Sequence, residues 1–277
     1  MESIKQLLIR HGFSFKKQFG QNFITDVNLL KSIVNGADIT EKDVVVEIGP
    51  GAGTLTREIA SQAKKVVCYE IDKNLEPVLE DTLSGFNNVE VIFKDVMKVP
   101  IKDLEKSIGE RYTVVANLPY YITTPIIMRF IEQAKRVKSL VIMVQEEVAD
   151  RLCAKENTAE YGAITAAIGV KANAKVIKKV PKTMFLPMPK VDSAVVKIDI
   201  VENKFNVLDE KVYKDVLHAA FNNRRKMLAN NLMQIFKYNR QTAEEILVAC
   251  DIPLTARGET LSVEKFVLLA NTIVDKN

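Results

Sequence analysis

From residue 43 the chain alternates short β-branched apolar runs with segments whose apolar residues recur at helical spacing. "DVVVEIG" (43–49) reads as a strand closed by glycine, and "GTLTREIASQA" then places Leu55, Ile59 and Ala63 on one helical face. "KVVCYEID" (65–72) predicts a second strand and "KNLEPVLEDTL" a second helix. "NVEVIFKD" (88–95), "RYTVVAN" (111–117) and "SLVIMVQ" (139–145) predict further strands, separated by helical or irregular segments. Strands alternating with helices predict an α/β fold with a doubly wound, mostly parallel sheet. "AKVIKKV" (174–180) and "DSAVVKIDI" (192–200) read as strands in immediate succession, which suits an antiparallel edge on the same sheet. From "DEKVYKDVLHAAFNN" onward only helical patterns remain. Val212, Val216, Leu217, Ala220 and Phe221 share a face, as do Ile246 with Ala249 and Phe266 with Ala270. The polar stretch "VENKFN" is the predicted linker. An α/β domain over 1–204 and a small all-helical domain over 205–277 follow.

Composition narrows this picture without redrawing it. A chain of 277 residues suits one large domain plus a small one. Its 47% hydrophobic and 27% charged content excludes a disordered chain. No stretch approaches the roughly 18 consecutive apolar residues of a membrane span. "MESIKQLLIRHG" lacks the apolar core of a signal peptide, so a cytoplasmic protein is expected. Cys68, Cys153 and Cys250 lie outside any CxxC pair, and His11 and His218 are the only histidines. Reduced thiols and no metal site are the expectation.

Charge adds a candidate partner. The formal net charge is only +4, but Lys171, Lys175, Lys178, Lys179, Lys182 and Lys190 fall within 171–190, where no Asp or Glu occurs. Arg224-Arg225-Lys226 and Lys16-Lys17 form two more basic clusters. Each alone suits a solvated face; three together point to a polyanion.

Candidate chemistry begins at "VVVEIGPGAGTLT", where Gly49, Gly51 and Gly53 join the first strand to the first helix. Glycines there allow a tight turn and close approach of a ligand to the backbone. Glu70 ends the second strand, placed to accept from two ribose hydroxyls, and Asp95 ends the third, placed to accept from an adenine amino group. Glu47 precedes the loop and Pro50 within it lacks an N–H, which suits a cationic ligand better than a pyrophosphate. Adenosine joined to a cationic amino acid is S-adenosylmethionine.

The fourth strand ends in Asn117-Leu118-Pro119-Tyr120. The exocyclic amine of a nucleobase is a poor nucleophile because its lone pair is delocalised into the ring. Two acceptors aimed at its hydrogens favour the pyramidal amine and stabilise the positive charge that develops on methylation. Asn117 supplies a side-chain carbonyl and Leu118 a backbone carbonyl, which Pro119 holds in an extended setting. Tyr120 offers a ring to stack on the base.

"EIGPGAG", "YEID", "KDVM" and "NLPYYITTP" together resemble the KsgA family of ribosomal RNA adenine dimethyltransferases. "KKQFGQNFITD", "QEEVADRL", "FLPMPKVDSAVV" and "TARGETLSVEKFVLLAN" extend the resemblance over nearly the whole chain. It implies a Rossmann-like class I methyltransferase domain and a small helical C-terminal domain. The implied activity is dimethylation of two adjacent adenines in a terminal hairpin loop of 16S rRNA, within an immature small ribosomal subunit, by a monomeric enzyme. Asn22, Ile24, Gly49, Gly51, Glu70, Ile71, Asp95, Val96 and Asn117 are then the expected cofactor contacts. Phe185 matches an aromatic that sandwiches the base opposite Tyr120. Lys178, Lys179, Lys182, Arg224, Arg225 and Lys226 are the expected RNA contacts. Tyr121 stands where Asn is commoner in the family, a departure expected to affect only local packing. Two other readings are a large-subunit methyltransferase of the antibiotic-resistance type and an assembly factor whose catalysis is secondary. A non-catalytic nucleic-acid-binding relative is disfavoured by the intact Glu70, Asp95, Asn117 and Tyr120.

Overall fold

The computed structural model describes residues 4–13 and 22–276, so all of "KKQFGQ", with Lys16-Lys17, lies outside the described residues. The strands are β1 (Phe23–Ile24), β2 (Val44–Ile48), β3 (Lys65–Glu70), β4 (Val89–Phe93), β5 (Tyr112–Asn117), β6 (Val137–Gln145), β7 (Ala172–Val180), β8 (Phe185–Leu186) and β9 (Ser193–Ile200). The helices up to the linker are α1 (Ile4–Arg10), α2 (Val27–Gly36), α3 (Thr54–Ala60), α4 (Glu76–Leu83), α5 (Ile101–Ile108), α6 (Tyr120–Gln133), α7 (Glu146–Leu152) and α8 (Ala163–Gly169). Beyond it follow α9 (Glu210–Asn222), α10 (Leu228–Phe236), α11 (Arg240–Ala249) and α12 (Val263–Lys276).

Seven strands form one sheet in the order β4-β3-β2-β5-β6-β9-β7. The pairs β4/β3, β3/β2, β2/β5 and β5/β6 are parallel, while β9 runs antiparallel to β6. The two late strands thus extend the same sheet, as their succession predicts, with β9 inserted between β6 and the edge strand β7. Every residue of β2 is buried, which is why it reads as an unbroken apolar run rather than an alternation. Val45, Val66, Val115, Val141 and Val195 pack in one core with Leu30, Ile33 and Val34 of α2 and Leu55 and Ile59 of α3. The strand order reverses direction at β2 and β5, and the carboxyl ends of parallel strands at such a switch point form a crevice.

The chain divides into two compact units, 1–149 with 175–200, and 150–174 with 201–277. The sequence places 150–174 with the α/β domain, but in the structure this stretch belongs to the helical unit. Tyr161 donates from its hydroxyl to the Leu261 carbonyl at 2.9 Å, and Tyr213 donates to the Ala166 carbonyl at 3.0 Å. Val216, Leu217, Ala220 and Phe266 are buried in the same core. One predicted face shifts by a residue: Ala249 is exposed, and Cys250 joins Ile246 in the core instead.

Candidate active site

At the carboxyl ends of β2 to β5 lies a cavity of about 330 Å³, lined entirely by residues of the α/β unit. Its floor is the turn between β2 and α3. Gly49, Gly51 and Gly53 there have φ of 71°, 59° and 78°, in the left-handed region that side chains resist. At Gly51 space is also lacking, since a Cβ would stand 2.8 Å from Cε1 of Phe23. The loop therefore needs glycine for both conformation and closeness.

Glu70 is buried at the end of β3 and orders this loop. Its Oε2 accepts from Gly51 N at 3.2 Å, and its Oε1 accepts from Ile71 N at 2.8 Å and Asp72 N at 2.9 Å. Burial raises its carboxyl above the usual range, and those three amide donors oppose the rise. Because the Gly51 amide is engaged by a carboxylate and Pro50 has none to offer, the loop is no phosphate cradle. Glu47 lies in the wall with 1% exposure. Burial pushes its carboxyl up to about 7, with the Cys68 thiol 3.6 Å from Oε2. A cavity with a buried acid, a second carboxylate at a strand end and a third acid fits a cationic adenosine ligand.

That third acid, Asp95, caps the turn after β4, its Oδ1 accepting from Met97 N at 2.9 Å. Arg129 of α6 holds the same turn from behind. Its Nη1 donates to the Val96 carbonyl at 2.5 Å and its Nη2 donates to the Val99 carbonyl. No sequence pattern singles out Arg129, because its partners are carbonyls brought near only by the fold. Asn22, Ile24, Ile71 and Val96 also line the cavity.

Asn117, Leu118, Pro119 and Tyr120 complete the wall. Asn117 donates from Nδ2 to the Asn22 carbonyl at 3.0 Å. That bond assigns the amide orientation and leaves Oδ1 as the accepting end. Pro119, with φ −54° and ψ 134°, is the extended residue before α6, and Thr123 donates to its carbonyl at 3.1 Å. The Leu118 side chain is buried against the glycine loop. Tyr120 is half-buried, and its hydroxyl meets Ser193 Oγ at 2.8 Å. Ser193 is wholly buried at the start of β9. Sequence reasoning passes over Ser193, although "PKVDS" places a hydroxyl at a strand start.

Two residues stand apart from the others of the predicted set. Phe185 does not reach the cavity wall: it is 5% exposed, in the core with Ile24, Val180 and Val195. The short ladder of β1 with β8 pairs Ile24 with Phe185, and of the two it is Ile24 that lines the cavity. Tyr121 lines the cavity and is 69% exposed.

The basic residues sit on both units. Lys178 and Lys179 on β7 and Lys182 just after it are exposed on the α/β unit. Lys179 is ion-paired with Glu146 at 2.6 Å. Arg224, Arg225 and Lys226 are exposed on the helical unit, where Arg224 donates to the Ala159 carbonyl at 3.0 Å. Among the described residues no cluster of His, Cys, Asp and Glu could hold a metal, and no helix is long and apolar enough to cross a membrane.

The family model described as "Ribosomal RNA adenine dimethylase" matches residues 12–273. Proteins named ribosomal RNA small subunit methyltransferase A, from Alkaliphilus oremlandii and Clostridioides difficile, are each 44% identical to this chain. The first comparison covers 98% of this chain and 96% of the relative, the second 98% and 95%. Among solved structures, a dimethyladenosine transferase from Plasmodium falciparum superposes with a TM-score of 0.79 at 25% identity, covering 92% of this chain and 98% of that one. The 23S rRNA methyltransferase ErmE gives 0.70 at 26% identity, covering 91% and 99%.

Proposed function

The chain belongs to the ribosomal RNA adenine dimethylase family, and from that premise we propose that it dimethylates N6 of two adjacent adenines in a terminal hairpin loop of 16S rRNA. S-adenosylmethionine is the donor, and when bound it supplies an electrophilic methyl group carried on a sulfonium. Glu70 and Asp95 are the residues to hold its ribose and adenine, with Ile71 and Val96 beside them. Glu47, buried with a thiol rather than a cationic side chain as its partner, suits its positive end.

The observation that carries the reading is the Asn117 amide, pinned through Nδ2 to Asn22 so that Oδ1 is the acceptor. With the Leu118 carbonyl, Oδ1 would take the two hydrogens of the target amine and pyramidalise its nitrogen. As positive charge builds on that nitrogen, both carbonyl dipoles face it already oriented, so little reorganisation remains for the transition state. Tyr120, fixed at its hydroxyl by Ser193, would present its ring to the base. The amine's proton then passes to solvent, and no general base is required. Alignment and electrostatics supply the rate.

The partner we propose is an immature small ribosomal subunit in the cytoplasm, met by a monomer. The likeness to ErmE supports a second reading, methylation of large-subunit rRNA. Primer extension on both rRNAs from a deletion strain separates them, since dimethyladenine stops the polymerase. Two adjacent stops in 16S rRNA, lost on deletion and restored by this chain, are the expected result. Stops that change only in 23S rRNA would overturn the first reading for the second.

A further inference from the structure

Tyr121 is unlike the other aromatics around the cavity. It occupies the second position of α6, directly after Tyr120, and lines the cavity while remaining 69% exposed. Its ring makes no hydrogen bond or ring contact among the described residues. A large amphipathic ring exposed at the cavity has its apolar face available to a ligand.

We infer that Tyr121 is a second base platform, on which an unpaired nucleobase adjacent to the target adenine stacks. The inference rests on the function proposed above. Drawing one adenine into the cavity removes it from its neighbour's stack, at a cost of a few kcal/mol. Tyr121 follows Tyr120 on α6 and lines the same cavity from an exposed position, so its ring is available to replace the lost partner. Any nucleobase has a π-face, so the platform is tolerant of base identity and serves both when the first and when the second of two adjacent adenines occupies the cavity. An Asn at this position has no such face.

The test is RNA affinity without cofactor, by fluorescence anisotropy on a hairpin with two adjacent loop adenines. It compares wild type with Tyr121→Ala, Tyr121→Asn and Tyr121→Phe. The first two should bind about tenfold or more weakly and Tyr121→Phe like wild type. A hairpin with an abasic nucleotide beside the target should bind wild type equally weakly, and the two losses should not add. Unchanged affinity in Tyr121→Ala, or fully additive losses, would overturn the platform. A lowered melting temperature for Tyr121→Ala would overturn it too, by showing a packing role. Wild type that still methylates small subunits from a deletion strain keeps the parent reading intact in those cases, whereas wild type that leaves their 16S rRNA unmethylated overturns both.

Discussion

Burial of Glu47 couples the site to pH at the scale of a single residue. Its folded pKa of about 7 stands above the ordinary 4.5. The neutral acid's contribution to stability is therefore fully present below pH 4.5 and is lost as pH rises toward about 7. Cofactor binding runs the other way, because a cationic ligand favours the carboxylate. Affinity for S-adenosylmethionine should rise several-fold between about pH 6 and about pH 7.5. Calorimetry on Glu47→Gln should show weaker binding with that dependence flattened; an equally steep dependence would reassign it to another group. Asn117→Ala should lower single-turnover methylation by about 10²-fold, by analogy with loss of one oxyanion-hole donor. RNA affinity should hardly move, since phosphate contacts carry it. Phe185→Ala should cost roughly 3–5 kcal/mol, seen as a lower melting temperature, because it empties a packed site. Phe185→Leu, which refills most of that space, should keep both stability and methylation. The difference between these residues explains what the sequence could tell. Glu70 and Asn117 end strands and Asp95 follows one by two residues, and a strand's end is visible where a β-branched run stops. Phe185 and Ser193 act through partners 161 and 73 residues away, Ile24 and Tyr120, which spacing along the chain does not reveal.

At the scale of elements, the "TARGET" stretch shows how closely the helical unit packs. A Cβ on Gly258 would stand 2.3 Å from the Ala220 carbonyl oxygen of α9. No flexible side chain can give way there, because the obstacle is backbone. Gly258→Ala should destabilise by about 1–3 kcal/mol, as overpacking does. Gly85, where an added Cβ would meet nothing within 4 Å, is the control, and Gly85→Ala should leave the melting temperature unchanged or slightly higher. Equal effects from the two substitutions would contradict the close approach. Strands and their sheet were legible because central parallel strands are buried on both faces and read as apolar runs. Allegiance of 150–174 was not. "AITAAIG" is apolar enough for either unit, and only the bonds of Tyr161 and Tyr213 commit it to the helical one.

Across the whole molecule the question is how a chain of net charge +4 holds a polyanion. The charge is distributed over two units, and part of it is already spoken for. Lys179 pairs with Glu146 at 2.6 Å and Lys171 with Glu210 at 2.7 Å, both on the surface. Exposed pairs of this kind are worth about 1 kcal/mol or less, so RNA phosphates can displace the carboxylates. Each lysine or arginine that meets a phosphate should contribute about 0.7–0.9 to the slope of log affinity against log salt. Lys178→Ala with Lys182→Ala tests the α/β unit, and neutralising Arg224, Arg225 and Lys226 together tests the helical one. If both units grip the RNA, each set lowers the slope in proportion to the contacts it removes, and the two reductions add. A set that leaves both slope and affinity untouched is a solvated face. Loss confined to the α/β set would mean that the helical unit is engaged by something other than RNA backbone. Additive losses would instead give the small unit its reason to exist: a cavity that recognises a single flipped base cannot select one hairpin, and a second set of phosphate contacts fixes the register in which that base is presented.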